Sequence, residues 1–172
     1  DLTPRMMALL ADMAAELGTI NEKVAALDSE IKSVAGADQD MRRLMEIPGV
    51  GPTIATALVA VVGDGKTFGK GRDLAAWLGL VRRQVTTGGK AKLIGISQHG
   101  NTYLRKLFIH GARTVLHLVK DRSTPLASWV DGLKARMHVN VAAVAMANKL
   151  ARIAWAVLTT GERYRSAAVA ST

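Results

Sequence analysis

Cysteine is absent from the 172 residues, so disulfides, thiolate metal sites and a cysteine nucleophile are excluded. The four histidines, His99, His110, His117 and His138, match no zinc-ligand spacing. There is no initiator Met, no signal peptide and no long uncharged apolar run. The expectation is a soluble piece of a longer protein. No sustained apolar–polar alternation marks a strand. The chain is therefore expected to be essentially all-α, with a short hairpin within residues 82–97 as the sole β candidate. Its length suits one modest core plus an appendage.

Acidic residues are missing where the bases gather. Residues 1–40 hold eight acids and three bases, a net charge of −5, and the remainder holds six acids and twenty bases, net +14. Between Asp73 and Asp121 there is no acid at all. One sign sustained that far points to a polyanionic partner, nucleic acid ahead of an anionic membrane. The bases are spread over loops and several helices, which counts against a membrane-surface helix. The six acids of the basic part, Glu46, Asp64, Asp73, Asp121, Asp131 and Glu162, are scattered. A complete two-metal nuclease and a metal site within the chain are not expected.

What the chain does contain begins with a period. Met6, Leu10, Met13, Leu17, Ile20, Val24, Leu27, Ile31 and Val34 alternate spacings of four and three, the seam of a coiled coil over residues 1–36. Thr3 and Pro4 suit its N-cap and first turn, and Gly36 is its expected stop. The seam is thin, with Ala and Gly18 beside it, so it calls for a partner helix; a homodimer is the expectation. Next, "EIPGVGP", residues 46–52, reads as the turn of a helix-hairpin-helix. There Gly49 and Gly51 would let a backbone phosphate approach the amides of the following helix. A glycine turn joining two core helices is the other reading. Ile54, Leu58, Val59, Val61 and Val62 are candidate core either way. Further helices are expected near residues 72–79, burying Leu74, Trp77 and Leu78, and from Asn101, with Leu104, Leu107, Phe108, Val115 and Leu118 inward. Gly111 is the expected point of close helix packing there. Two more are expected near 126–137 and up to Gly161, with a break at 121–125. The main helical domain is placed at residues 41–165 and a disordered tail at 166–172.

The most cationic stretch, "RRQVTTGGKAKLIGISQHGN", residues 82–101, carries hydroxyls at Thr86, Thr87 and Ser97. A hydroxyl that attacks phosphate needs cations on the non-bridging oxygens and little bulk beside it. Arg82, Arg83, Lys90 and Lys92 offer the first and Gly88 and Gly89 the second. The residues alone leave two readings open, a phosphate-binding loop or a nucleophile loop. Gln84, Gln98, His99, Asn101, Arg105 and Lys106, with Gly49 and Gly51, complete the candidate nucleic-acid contacts.

Four segments in order, "EIPGVGPTIATALVAVVGD", "AAWLGLVRRQVTTGGKAKLIGIS", "GNTYLRKLFIHGAR" and "VAAVAMANKLARIAWAVL", resemble the C-terminal domain of the IS110 and IS1111 insertion-sequence transposases, the bridge-RNA-guided recombinases. The resemblance covers about residues 41–165. It implies an N-terminal resolvase-like domain, absent from this chain, whose four acids hold Mg²⁺. It also implies a coiled-coil linker and a serine that forms a covalent link to DNA. Its implied partners are DNA, a guide RNA and a second copy, with a tetramer possible to build from dimers. The implied location is the bacterial cytoplasm, at the nucleoid.

The chain departs from that family where it matters most. Threonine occupies the serine position, either Thr87, which adjoins Gly88 and is preferred, or Thr86. The extra methyl restricts rotation and crowds a pentavalent transition state. Three readings stay open: threonine works as the nucleophile, the site is impaired, or Ser97 serves instead. Gln98 and His99 stand where the family commonly has a basic pair, and Arg82 replaces a common proline. A different class of function, a non-catalytic dimeric helix-hairpin-helix module that binds DNA, is the alternative.

Overall fold

The computed structural model describes residues 2–118 and 124–165, apart from the side chain of Leu93. The expected tail at 166–172 and most of the break before Pro125 lie outside the described residues. Seven helices and one two-stranded sheet are described, in the order α1 (Pro4–Ala37), α2 (Gln39–Met45), α3 (Pro52–Val62), α4 (Gly71–Trp77), β1 (Arg82–Thr87), β2 (Lys90–Ile96), α5 (Thr102–Leu118), α6 (Pro125–Arg136) and α7 (Val139–Thr160).

Helix α1 starts as its sequence dictates, with the Thr3 hydroxyl accepting from the Met6 amide at 3.3 Å and Pro4 in the first turn. At 34 residues it is about 51 Å long. It does not stop at Gly36. The helix runs on to Ala37, and Asp38 makes the break, because its extended backbone turns the chain while its carboxylate caps α2 through the Met41 amide at 2.8 Å. Only the end of α1 packs, on α2 and α3, with Ala35 fully buried. Along the rest the apolar seam is exposed, Met13 at 65% and Leu17 at 58%.

The body is built around α7, which touches α2, α4, α5 and α6. Its Ala-rich face lets these helices approach closely and buries Met146, Leu150, Ala151 and Ala154 completely. By length and composition alone α7 could cross a membrane, yet half of that apolar window is buried inside the protein. Gly161, in the left-handed conformation, ends the helix as expected. Arg43 of α2 donates there to the Gly161 carbonyl and also to Asp40.

Several expected core positions shift. Ile54, Leu58 and Val62 are buried, whereas Val61 is half-exposed and Val59 only packs on the core's edge. Helix α4 ends at Trp77, whose ring leans on Phe68 at 5.7 Å and stays partly exposed. Leu118 ends α5 and is exposed. Gly111 meets its expectation: a Cβ there would lie 2.1 Å from the Gly49 carbonyl oxygen.

Candidate functional site

The hairpin of β1 and β2 stands out from the helical body. Every residue from Arg82 to Lys92 is exposed. Its two-residue turn is Gly88-Gly89, with φ of +57° and +76°. Positive φ at both central residues is what a type I′ hairpin turn requires, and glycine meets it without steric cost. Nothing lies within 4 Å of a Cβ built on either glycine, so the tip is open to a large ligand.

Register separates the two threonines. Thr87 pairs with Lys90, Val85 with Lys92 and Thr86 with Ala91. Residues opposite one another in an antiparallel pair project on the same face, and neighbours along a strand on opposite faces. Thr87 therefore shares its face with Val85, Lys90 and Lys92. Thr86 shares the other face with Gln84 and Ala91, and its hydroxyl accepts from the Gln84 amide at 3.5 Å. The Thr87 hydroxyl has no hydrogen-bond partner among the described residues. A register shift between Arg82 and Gln84 bends the sheet near its root, where Arg82 and Arg83 are exposed.

The root is fixed by Arg105. This residue, expected to contact nucleic acid, is 8% exposed. Its guanidinium donates to the carbonyls of Leu78 at 3.2 Å and His99 at 3.3 Å and to the Thr102 hydroxyl at 3.0 Å. It thus ties the chain entering the hairpin to the chain leaving it and is spent on structure. Two glycines make room for this closure. A Cβ at Gly79 would lie 2.3 Å from the His99 carbonyl oxygen, and one at Gly100 would lie 1.7 Å from that of Trp77. Asn148 of α7 donates to the Leu80 carbonyl at 3.3 Å, anchoring the same root to the core. The sequence held no signal for this role of Arg105, since a basic helix position looks the same whether it faces water or carbonyls.

The remaining candidates fall in three places. Ser97 is half-buried at the root, its amide donating to Val81 at 2.8 Å, roughly 20 Å of strand away from the tip. Gln98, with φ of +57°, and His99 are exposed beside it, and Asn101 caps α5 through the Leu104 amide at 2.9 Å. Lys106 is exposed on α5. Gly49 and Gly51 lie away from the hairpin residues, in the turn that packs on Gly111 of α5. The φ of +83° at Gly49 serves packing, for a Cβ there would meet Val115 at 2.5 Å and the Gly111 carbonyl oxygen at 2.6 Å. Gly51 is open, with nothing within 4 Å, and precedes α3 without a side-chain cap. Among the described residues no three His, Asp or Glu side chains gather where they could hold a metal ion.

Comparison with known proteins bears on this arrangement. The sequence model described as "Transposase IS116/IS110/IS902 family" matches residues 41–125, which include the turn at Gly49, the hairpin and α5. The chain is 44% identical over 160 residues to a probable family 20 transposase of Pseudomonas aeruginosa, covering 93% of this chain and 47% of the relative. It is 44% identical over 167 residues to the transposase for insertion sequence element IS1111A of Coxiella burnetii, covering 97% and 46%. It is 42% identical over 161 residues to the transposase for insertion sequence element IS1328 of Yersinia enterocolitica, covering 94% and 48%. The chain spans about half the length of these curated relatives.

Proposed function

The chain belongs to the IS116/IS110/IS902 transposase family, and on that premise we propose that it is the nucleophile-bearing, DNA-binding part of a DNA transposase. One observation carries this reading: the Thr87 hydroxyl is exposed and unpartnered beside a two-glycine turn, on the face that also bears Lys90 and Lys92. In the proposed step the Thr87 oxygen attacks a scissile phosphorus, a threonine–phosphate bond forms, and the bond to one deoxyribose oxygen breaks. The threonine proton ends on that departing oxygen. Lys90 and Lys92 hold the non-bridging oxygens as negative charge builds. Attack by the hydroxyl of a second strand reverses the step and completes the exchange. Mg²⁺, which the family resemblance places on acids of a further domain, is not assigned a role for any residue of this chain.

The seam of α1 supports a further part of this reading, a homodimer joined by a coiled coil, with a tetramer as a pair of dimers. Guide RNA is the other proposed partner. The alternative, a non-catalytic DNA-binding module, is favoured by the scattering of the acids, since the hairpin itself carries no carboxylate to serve Thr87 as a general base. In either case the chain alone is expected to bind nucleic acid without sequence preference and not to cut it.

The test is to trap a covalent protein–DNA adduct with the full transposase and identify the modified residue by mass spectrometry. Thr87→Ala is expected to abolish adduct and strand exchange with DNA binding retained, and Thr87→Ser to keep both. An undiminished adduct in Thr87→Ala would move the nucleophile to Thr86 or Ser97. No adduct from the unaltered protein would favour the binding module.

A further inference from the structure

A second cleft, of about 790 Å³, lies between the start of α4, the first turn of α6, the C-terminal half of α7 and the segment after it. Its floor is apolar, formed by Leu126, Ile153, Ala156 and Val157 with the rings of Trp155 and Tyr164. Its rim is cationic, with Lys70, Arg72, Lys149, Arg152 and Arg165. Arg163 also borders it but faces Glu46 at 3.6 Å, and Glu162 is the one acid in the lining. Lys70, Arg72, Arg152 and Arg165 have no ion-pair partner among the described residues. Residues more than seventy positions apart are thus brought together with an excess of positive charge.

The aromatic groups are set for contact. The Trp155 indole N–H donates to the carbonyls of Gly65 at 3.1 Å and Phe68 at 3.2 Å, which fixes that ring in the wall. Tyr164 is half-buried, and desolvation holds its phenol above the ordinary value, so it brings no negative charge to the cleft. Lys149 sits 4.5 Å above the Trp129 ring. An apolar floor inside a cationic rim is poorly used by a duplex, which stacks its bases inward and shows phosphate outside. A single strand uses both, with phosphates on the rim and a base against the rings.

We propose that this cleft binds a single-stranded segment of nucleic acid, phosphates against Arg72 and Arg152 and a base against Tyr164. The inference rests on the reading that this domain acts on nucleic acid, but it uses none of the hairpin residues. Asn148, at the hairpin root, immediately precedes Lys149 on α7. From there the helix runs twelve residues to Thr160, about 18 Å. One protein could therefore hold a duplex at the hairpin and a loose strand in the cleft at once.

The experiment measures fluorescence anisotropy with labelled oligonucleotides of about 16 nucleotides, long enough for one such site, as single-stranded DNA, single-stranded RNA and duplex DNA. Salt is varied between about 50 and 200 mM. Arg72 and Arg152 are exposed, so replacing them leaves the core intact, and matching melting curves verify it. R72A/R152A is expected to weaken single-strand binding about tenfold and to lower the salt slope by about 1.4, two contacts at roughly 0.7 each. Y164A is expected to weaken it about tenfold with the slope kept. Duplex binding is expected to respond to K90A/K92A instead. Unchanged single-strand affinity in both cleft variants, or an equal loss on duplex, would overturn the proposal. Failure of the unaltered protein to bind any of the three would overturn the underlying reading as well. The preferred strand, DNA or RNA, identifies the ligand's source.

Discussion

Single side chains here are decided by what surrounds them. Arg105 is the clearest case, because its planar guanidinium spreads its donors over separate nitrogens, one serving the Leu78 and His99 carbonyls and the other the Thr102 hydroxyl, whereas an ammonium holds its three donors on a single atom. Arg105→Lys should therefore fail to close the hairpin root although charge is kept. We expect Arg105→Ala to lower unfolding free energy by about 2–3 kcal/mol, from orphaned buried carbonyls and lost packing. Denaturant titration checks this, and a loss within about 0.5 kcal/mol, as for a surface site, would refute the clamp. Gly49 and Gly111 form another such pair. Gly111→Ala should cost about 1–3 kcal/mol through overpacking against the Gly49 carbonyl. Gly18 has nothing within 4 Å and sits exposed within α1, so Gly18→Ala should instead stabilise the helix by up to about 1 kcal/mol. Circular dichroism melts of the two variants should shift in opposite directions.

Two elements, α1 and the hairpin, carry their surfaces outward. Burying a leucine is worth about 1.5–3 kcal/mol, and α1 leaves Leu10, Leu17, Ile20, Val24 and Leu27 about half-exposed. Paired with a second copy, the seam would recover that burial. Leu17→Lys together with Val24→Lys is expected to leave a monomer by sedimentation equilibrium, with residues 41–165 still folded. An unaltered mass would remove α1 from the interface. The period of α1 was plain in the sequence because it is local. The hairpin was visible as a possibility, from paired glycines among bases, but its register was not. Pairing Thr87 with Lys90 puts the hydroxyl among cations, and a slip by one residue would have given that face to Thr86.

Charge sets the behaviour of the protein taken together. With net −5 on residues 1–40 and +14 beyond, α1 and the body differ in sign, and only the body should attract phosphate. Removing residues 1–36 should leave nucleic-acid affinity equal or higher at low salt, and each phosphate-contacting base removed from the body should lower the duplex salt slope by about 0.9. Filter binding across salt measures both. Weaker binding after the truncation would show that binding requires the dimer.

By itself the sequence determined the helical class, the α1 seam, the capping at Thr3 and Gly161, the close contact at Gly111 and the resemblance to a transposase family. All of these rest on spacing within one segment or on ordered local motifs. Only the tertiary structure decided that Arg105 is buried, that Gly49 turns toward α5, that Val61 and Leu118 face water, and that Lys70, Arg72 and Arg152 meet at one cleft. Those outcomes depend on which distant segment arrives beside a residue. Burial and the convergence of charge belong to pairs of segments, and no single stretch of chain contains them.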